Sequence, residues 1–198
     1  MADNELDDGK RRFLITAGTV AATGAGAVAA AVPFVASMMP SERAKAAGAP
    51  VEVDVSNLEP GQRMIVEWRG KPVWIVRRTE EMLKMVKSDD DRVADPASTR
   101  STQPSYAKNE FRSLKPEYLV LVGICTHLGC SPVDRLHAQP EPFAADWHGG
   151  FYCPCHGSLF DLAGRVYKNK PAPDNLTVPP YKFVSDTTLL IGEDTKGA

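Results

Sequence analysis

At 198 residues and a formal net charge of −2, the chain has room for one ordinary domain and an appendage, and it lacks the basic excess that would point to nucleic acid. Sixteen prolines and fifteen glycines suggest many turns and short strands.

Residues 1–12 form a polar, mostly acidic tail that ends in Lys10, Arg11 and Arg12. The next 29 residues, Phe13 to Ser41, carry no charge. About 20 residues at about 1.5 Å each let a helix cross a hydrocarbon core of about 30 Å. Residues 13–39 are therefore read as one transmembrane anchor, with Pro33 a kink or a late end. Paired arginines ahead of Phe13, Leu14 and Ile15 resemble a twin-arginine export signal, which serves proteins that cross the membrane already folded. A cleaved signal peptide is the plainer alternative, and Ala44-Lys45-Ala46 offers a small-residue site. The apolar run is longer than an ordinary signal core, which favours a retained anchor. The basic cluster then stays cytoplasmic and the remainder lies in the periplasm of a Gram-negative bacterium. Residues 40–50, "PSERAKAAGAP", make a small-residue linker, either a flexible tether or a short helical spacer.

From residue 51 the pattern changes to strands. "VEVDV" alternates with period two, and "QRMIVEW" and "VWIVRR" read as a hairpin around Arg69–Pro72. Residues 79–87 predict a short helix capped by Thr79, with Met82, Leu83, Met85 and Val86 inward. Residues 88–116 are polar and turn-rich and read as a long loop. "EYLVLVGIC" is a strongly apolar strand, and "TTLLIG" is another near the end. The exported part, 51–198, is expected to be one antiparallel β-rich domain. Trp68, Trp74 and Trp147 are read as core or surface aromatics, His137 and His148 as surface histidines, and Asp89–Asp91 as a solvated loop.

The four cysteines lie in two short clusters, "CTHLGC" at 125–130 and "CPCHGS" at 153–158, and two of the four histidines lie there too. Such concentration points to a metal site, a disulfide, or both. In an extended chain residues i and i+2 point the same way, so Cys125 and His127 reach one site. Cys153 and His156 have a spacing that lets a loop wrap a metal, whereas Cys155 tends to point elsewhere. The candidate ligands are Cys125, His127, Cys153 and His156. Cys130 and Cys155 remain, one in each loop, and a disulfide between them would tie the loops together in an oxidising exterior. Two cysteines and two histidines suit zinc as well. Three features weigh against zinc. The spacings are C-x-H and C-x₂-H, each loop gives one sulfur and one nitrogen, as a two-iron cluster needs, and a twin-arginine route suits a cofactor loaded before export.

"CTHLGC" and "CPCHGSLFD" resemble the two cluster-binding boxes of Rieske [2Fe–2S] proteins. With the extra cysteine in each box, the chain is similar to the iron–sulfur subunits of the cytochrome bc complex, ubiquinol–cytochrome c reductase. The resemblance extends to the twin-arginine tail, the anchor, the linker and "KPAPDNLTVPPY" at 170–181. It implies an all-β fold, a Rieske-type antiparallel β-sandwich with a cluster-binding part at about 123–178, preceded by one transmembrane helix. It implies one [2Fe–2S] cluster per chain, with Cys125 and Cys153 on the buried iron and His127 and His156 on the outer one. It also implies a Cys130–Cys155 disulfide, a proline loop at 171–176 covering the cluster, and a Ser158 hydroxyl donating to a cluster sulfur.

By the same resemblance the chain works as a subunit of a quinol–cytochrome c oxidoreductase in the bacterial inner membrane. Ubiquinol gives its electron to the cluster and its proton to a ligating histidine, with His156 contacting the quinol hydroxyl and His127 as the other titrating ligand. Leu128 lies in the docking surface, and the electron passes to a c-type cytochrome. The implied partners are cytochrome b and c-type cytochrome subunits in a dimeric complex. The alternatives are a Rieske small subunit of an arsenite-oxidase-like molybdenum enzyme and a zinc-binding module. Three departures stand out: Phe160 where close relatives carry tyrosine, Leu159 where a polar residue is common, and Lys170 where glycine is common.

Overall fold

A computed structural model describes residues 8–100 and 102–194. The chain divides into two compact units between Lys45 and Ala46. In the first, α1 (Asp8–Ser37) is a single helix of 30 residues with no buried side chain of its own, and an apolar window with mean hydropathy 1.7. It begins ahead of the basic cluster and runs past Pro33. A proline there removes one backbone donor but does not end the helix. The linker contains a short helix, α2 (Glu42–Ala47), in which Lys45 pairs with Glu42 at 2.7 Å.

The second unit is built from nine strands among the described residues, all paired antiparallel: β1 (Val51–Asp54), β2 (Arg63–Trp68), β3 (Lys71–Arg77), β4 (Tyr118–Val122), β5 (Val133–Arg135), β6 (Gly150–Cys153), β7 (Ser158–Phe160), β8 (Tyr181–Phe183) and β9 (Thr188–Ile191). They form three three-stranded sheets, ordered β1-β9-β8, β2-β3-β4 and β5-β6-β7. The first sheet joins the two ends of the unit, with Val53 opposite Leu189. Alternation in β1 buries Val53 and exposes Glu52 and Asp54, as a half-covered strand requires. β3 is central in its sheet and buries four residues in a row, Val73–Val76. The β2–β3 turn is the two-residue pair Arg69-Gly70, both at positive φ (53° and 68°), the twist that two-residue hairpins favour. Lys71 and Pro72 belong to β3.

Helix α3 (Glu80–Ser88) begins where Thr79 caps it, the hydroxyl accepting from the Met82 N–H at 3.2 Å. Met82 and Val86, one turn apart, are its buried residues. The core joins all three sheets: Trp74 of β3 stacks on Phe151 of β6 at 5.0 Å. Trp68 and Trp147 are buried as well.

Past Ser88, which ends α3, the described residues up to 116 are irregular apart from a 3₁₀ turn at Ser105–Ala107 and a bridge from Val93 to Tyr167. Its polar residues depart from the sequence reading. Asp89 is buried rather than solvated. Its carboxylate accepts from Tyr167 Oη at 2.8 Å and Arg92 Nη1 at 3.2 Å, and lies 2.8 Å from His148 Nδ1. Asp90 is half exposed and pairs with the buried Arg165. Two of Asp89's partners stand 59 and 78 residues away in sequence, so the acidic run alone cannot reveal that one member faces inward. His148 is consequently a partner of Asp89 and not a free surface histidine, while His137 is exposed.

Candidate metal centre

The first cysteine cluster is the continuation of β4. Gly123 passes flat against the Trp74 indole, where any Cβ would collide. The chain then closes on itself: the Cys125 N–H donates to the Cys130 carbonyl at 2.8 Å, and Gly129 N–H to the Cys125 carbonyl at 3.1 Å. The return needs a left-handed residue, and Gly129 supplies it at φ 81°. The second cluster is the hairpin between β6 and β7. Cys153 and Ser158 are directly paired, and Gly157 N–H donates to the Cys153 carbonyl at 2.9 Å. Both clusters are thus loops held at their ends by strands.

The six singled-out residues sort by depth. Cys125 and Cys153 are buried, each with a free thiol. Burial pushes the Cys125 thiol above the ordinary thiol range, with the His127 backbone N–H and the Ser158 hydroxyl acting against that rise. A thiolate at this depth needs a cation beside it. The His127 and His156 rings lie 4.7 Å apart, nearly perpendicular at 89°. His156 is exposed and His127 only partly so. Cys130 and Cys155 form a disulfide that bridges the two loops, with Cα atoms 6.7 Å apart. The Cys153 sulfur lies within 4.8 Å of both disulfide sulfurs, but sulfurs bonded to each other are not thiolate ligands, so that trio does not define a metal site.

The donor set fits a metal group on one further observation. His127 Nδ1 is buried and has no hydrogen-bond partner among the described residues. A buried ring nitrogen without a partner is costly, and a metal ligand removes the cost. Two buried thiols and two imidazoles, one with its nitrogen orphaned, make a set with sulfur on the inner side and nitrogen on the outer side.

The proline loop closes a third side. Its Ala172 N–H donates to Ser158 Oγ at 3.0 Å. Thr126 Oγ1, between Cys125 and His127, donates to the Asp174 carbonyl at 2.6 Å. Asn175 is buried and accepts from the Val166 N–H at 2.9 Å, and Leu176 N–H donates to the Gly164 carbonyl at 2.8 Å. Thr126 lies inside the first motif and Asn175 inside the proline loop, but neither residue type announces its hydrogen bond in the local sequence. Leu128 is 71 % exposed beside His127. Phe160 is fully buried, and Leu159 packs in a satellite cluster with Trp147 and Tyr167, which explains an apolar residue there. Lys170 is partly exposed at the start of the loop.

Comparison with known proteins finds relatives over nearly the whole chain. Residues 49–182 match the family described as the Rieske [2Fe-2S] domain, and residues 1–41 match the TAT signal of the ubiquinol–cytochrome c reductase Fe-S subunit. The ubiquinol–cytochrome c reductase iron–sulfur subunit of Allochromatium vinosum is 58% identical over 190 residues, which is 96% of this chain and 91% of that protein. The subunit of the same name from Bradyrhizobium diazoefficiens is 42% identical over 189 residues, 96% of this chain and 98% of that one. Among solved structures, a chain of a hyperthermophilic respiratory Complex III aligns with a TM-score of 0.46 at 28% identity, covering 88% of this chain and 98% of that chain.

Proposed function

Because this chain belongs to the Rieske [2Fe–2S] family, among the iron–sulfur subunits of ubiquinol–cytochrome c reductase, we propose that it oxidises ubiquinol one electron at a time and passes each electron to a c-type cytochrome. In this reading Cys125 and Cys153 hold the inner iron, and His127 and His156 hold the outer one. The bound cluster supplies one-electron transfer at about −150 to +300 mV, against about −400 mV for four-cysteine plant-type sites, because two neutral imidazoles replace two thiolates. The observation that carries the ligand set is the buried, partnerless Nδ1 of His127 beside the His156 ring, together with two buried free cysteines in the same two loops.

The remaining steps belong to the chain's own side chains. His156 is exposed and can meet a quinol hydroxyl, so its second ring nitrogen takes the proton as the electron leaves the quinol. Electron and proton uptake at such a ligand are coupled. The Ser158 hydroxyl would donate a hydrogen bond to a cluster sulfur, which favours the more negative, reduced form. The 71 % exposed Leu128 is an apolar contact for the quinol pocket, since a large apolar side chain left in water beside a site suits a partner surface.

The setting follows from the same premise. The apolar helix α1 is the membrane anchor, with the basic cluster cytoplasmic and the cluster-bearing unit periplasmic. Cytochrome b and a c-type cytochrome are the subunit partners in a dimeric complex, and residues 40–50 serve as the hinge that lets one cluster visit both. Electron paramagnetic resonance of membranes reduced with ascorbate tests the core of the proposal. A Rieske-type rhombic signal is expected, in material that copurifies with cytochrome b. A signal only after dithionite would exclude a quinol-oxidising potential. Metal-loaded protein silent with both reductants would return zinc as the occupant, and a molybdenum subunit in place of cytochrome b would assign a different complex.

A further inference from the structure

The long polar segment 88–116 carries a residue that neither cysteine motif announces. Arg112 is fully buried and its backbone sits at φ 51°, a left-handed conformation that a non-glycine residue adopts only where its surroundings enforce it. Its guanidinium is directed at backbone. Nη1 donates to the Ala163 and Gly164 carbonyls at 3.1 and 3.2 Å. Nη2 donates to the Leu176 carbonyl at 2.6 Å and to Gln103 Oε1 at 3.2 Å. Nε has no partner among the described residues. Ala163 and Gly164 lie three and four residues past the end of β7, the strand that carries Ser158. Leu176 closes the proline loop. One side chain therefore joins the exit of the second cysteine box to the end of the loop that covers it. Room for the fork exists because residue 164 is glycine: a Cβ there would lie 3.2 Å from Nη1 and 2.7 Å from Leu121.

We propose that Arg112 is a positioning residue for the electron-transfer site: its fork holds the proline loop in register with β7, so that the Ala172 N–H stays on Ser158 Oγ and keeps the serine proton turned toward sulfur. The inference rests on the ligand assignment above. It differs from a general packing role in a checkable way, because the chain supplies its own control. Arg78 is equally buried and equally occupied, with the Pro116, Phe111 and Leu162 carbonyls and Ser113 Oγ, but among those bonds it touches nothing in 171–176. Lysine at either position keeps a cation and loses the planar fork.

The test uses the full-length chain in its complex, with Arg112→Lys, Arg78→Lys, Ser158→Ala and the Arg112→Lys/Ser158→Ala pair. Each is measured for iron content, thermal midpoint, ascorbate-poised resonance line shape and midpoint potential. Both lysine variants are expected to lower the thermal midpoint. Only Arg112→Lys is expected to lower the potential and broaden the resonance, by no more than Ser158→Ala does. In the double variant the Arg112 effect should vanish, since residues acting through one contact are not additive. An unchanged potential in a loaded Arg112→Lys protein would overturn the proposal, as would an equal shift in Arg78→Lys or additive shifts in the pair. If Arg112→Lys fails to retain iron, Gln103→Leu decides: losing that acceptor should lower the potential by a smaller step, and no shift refutes the role. A missing Rieske signal in the unsubstituted protein would instead sink the ligand assignment itself.

Discussion

Ser158→Ala is the substitution whose consequence the geometry specifies most closely. The side chain is fully buried. Its oxygen accepts from the Ala172 N–H at 3.0 Å, and its hydroxyl acts to lower the Cys125 thiol pKa against the effect of burial. With the oxygen engaged by Ala172, the serine proton is free for sulfur. A hydrogen bond to a charged acceptor contributes about 1.5 kcal/mol or more. If half to all of about 1.5 kcal/mol appears only on reduction, the one-electron relation of about 60 mV per 1.4 kcal/mol gives a potential lower by about 30–60 mV. The same change strands the Ala172 N–H in a buried site, at a cost of about 1–3 kcal/mol in stability. A redox titration of cluster-loaded protein, followed by resonance signal amplitude, reads the first quantity, and thermal unfolding reads the second. A loaded variant with an unchanged or raised potential would refute the donor role, whatever happened to its stability.

Phe160→Tyr tests the same face of β7 from the other side. Residues 158 and 160 point the same way on a strand, so a hydroxyl added to the buried Phe160 extends beside Ser158; a rise of about 30–60 mV is expected on the same hydrogen-bond scale, and no rise would count against the reading. Replacing both Cys130 and Cys155 by alanine opens a bridge with a sequence separation of 25. The loop-entropy relation puts its contribution at about 3.5 kcal/mol, so denaturant unfolding should show a loss of that order, and a loss under about 1 kcal/mol would mean that the loops are held by other contacts. At alkaline pH, burial pushes the Tyr106 phenol up to about 12 and those of Tyr167 and Tyr181 further still. The unfolded phenols release their protons near pH 10 while the native ones keep theirs, so stability is intact below about pH 10 and falls as pH rises beyond it. Tyrosinate absorbance and unfolding midpoints at pH 9 and pH 11 check this; equal stability at both would contradict it.

Local chemistry made the site legible. Cys125 and His127 stand two apart, Cys153 and His156 three apart, and each pair lies at the end of an apolar strand. Those facts place two sulfurs and two nitrogens on two loops before any coordinates exist. The anchor was legible because membrane length is a one-dimensional property, and α3 because Thr79 caps it within its own turn. The segment 88–116 was not legible in the same way. Asp89 and Arg112 look like loop residues because, beyond the nearby Arg92 and Gln103, their partners are His148, Tyr167, Ala163, Gly164 and Leu176, all far along the chain, and no local pattern encodes a bond across such a separation.

The chain's order of residues by itself determined the membrane-length helix, the strand alternation, the family and which side chains are the candidate donors, since these depend on composition and spacing over a few residues. Only the tertiary structure decided which nitrogen of His127 is left without a partner, which carboxylate of the acidic run turns inward, and which arginine binds the proline loop to the second box. Those outcomes depend on burial and on contacts closed between distant segments, where the cost of an unpaired buried polar group selects one arrangement from many.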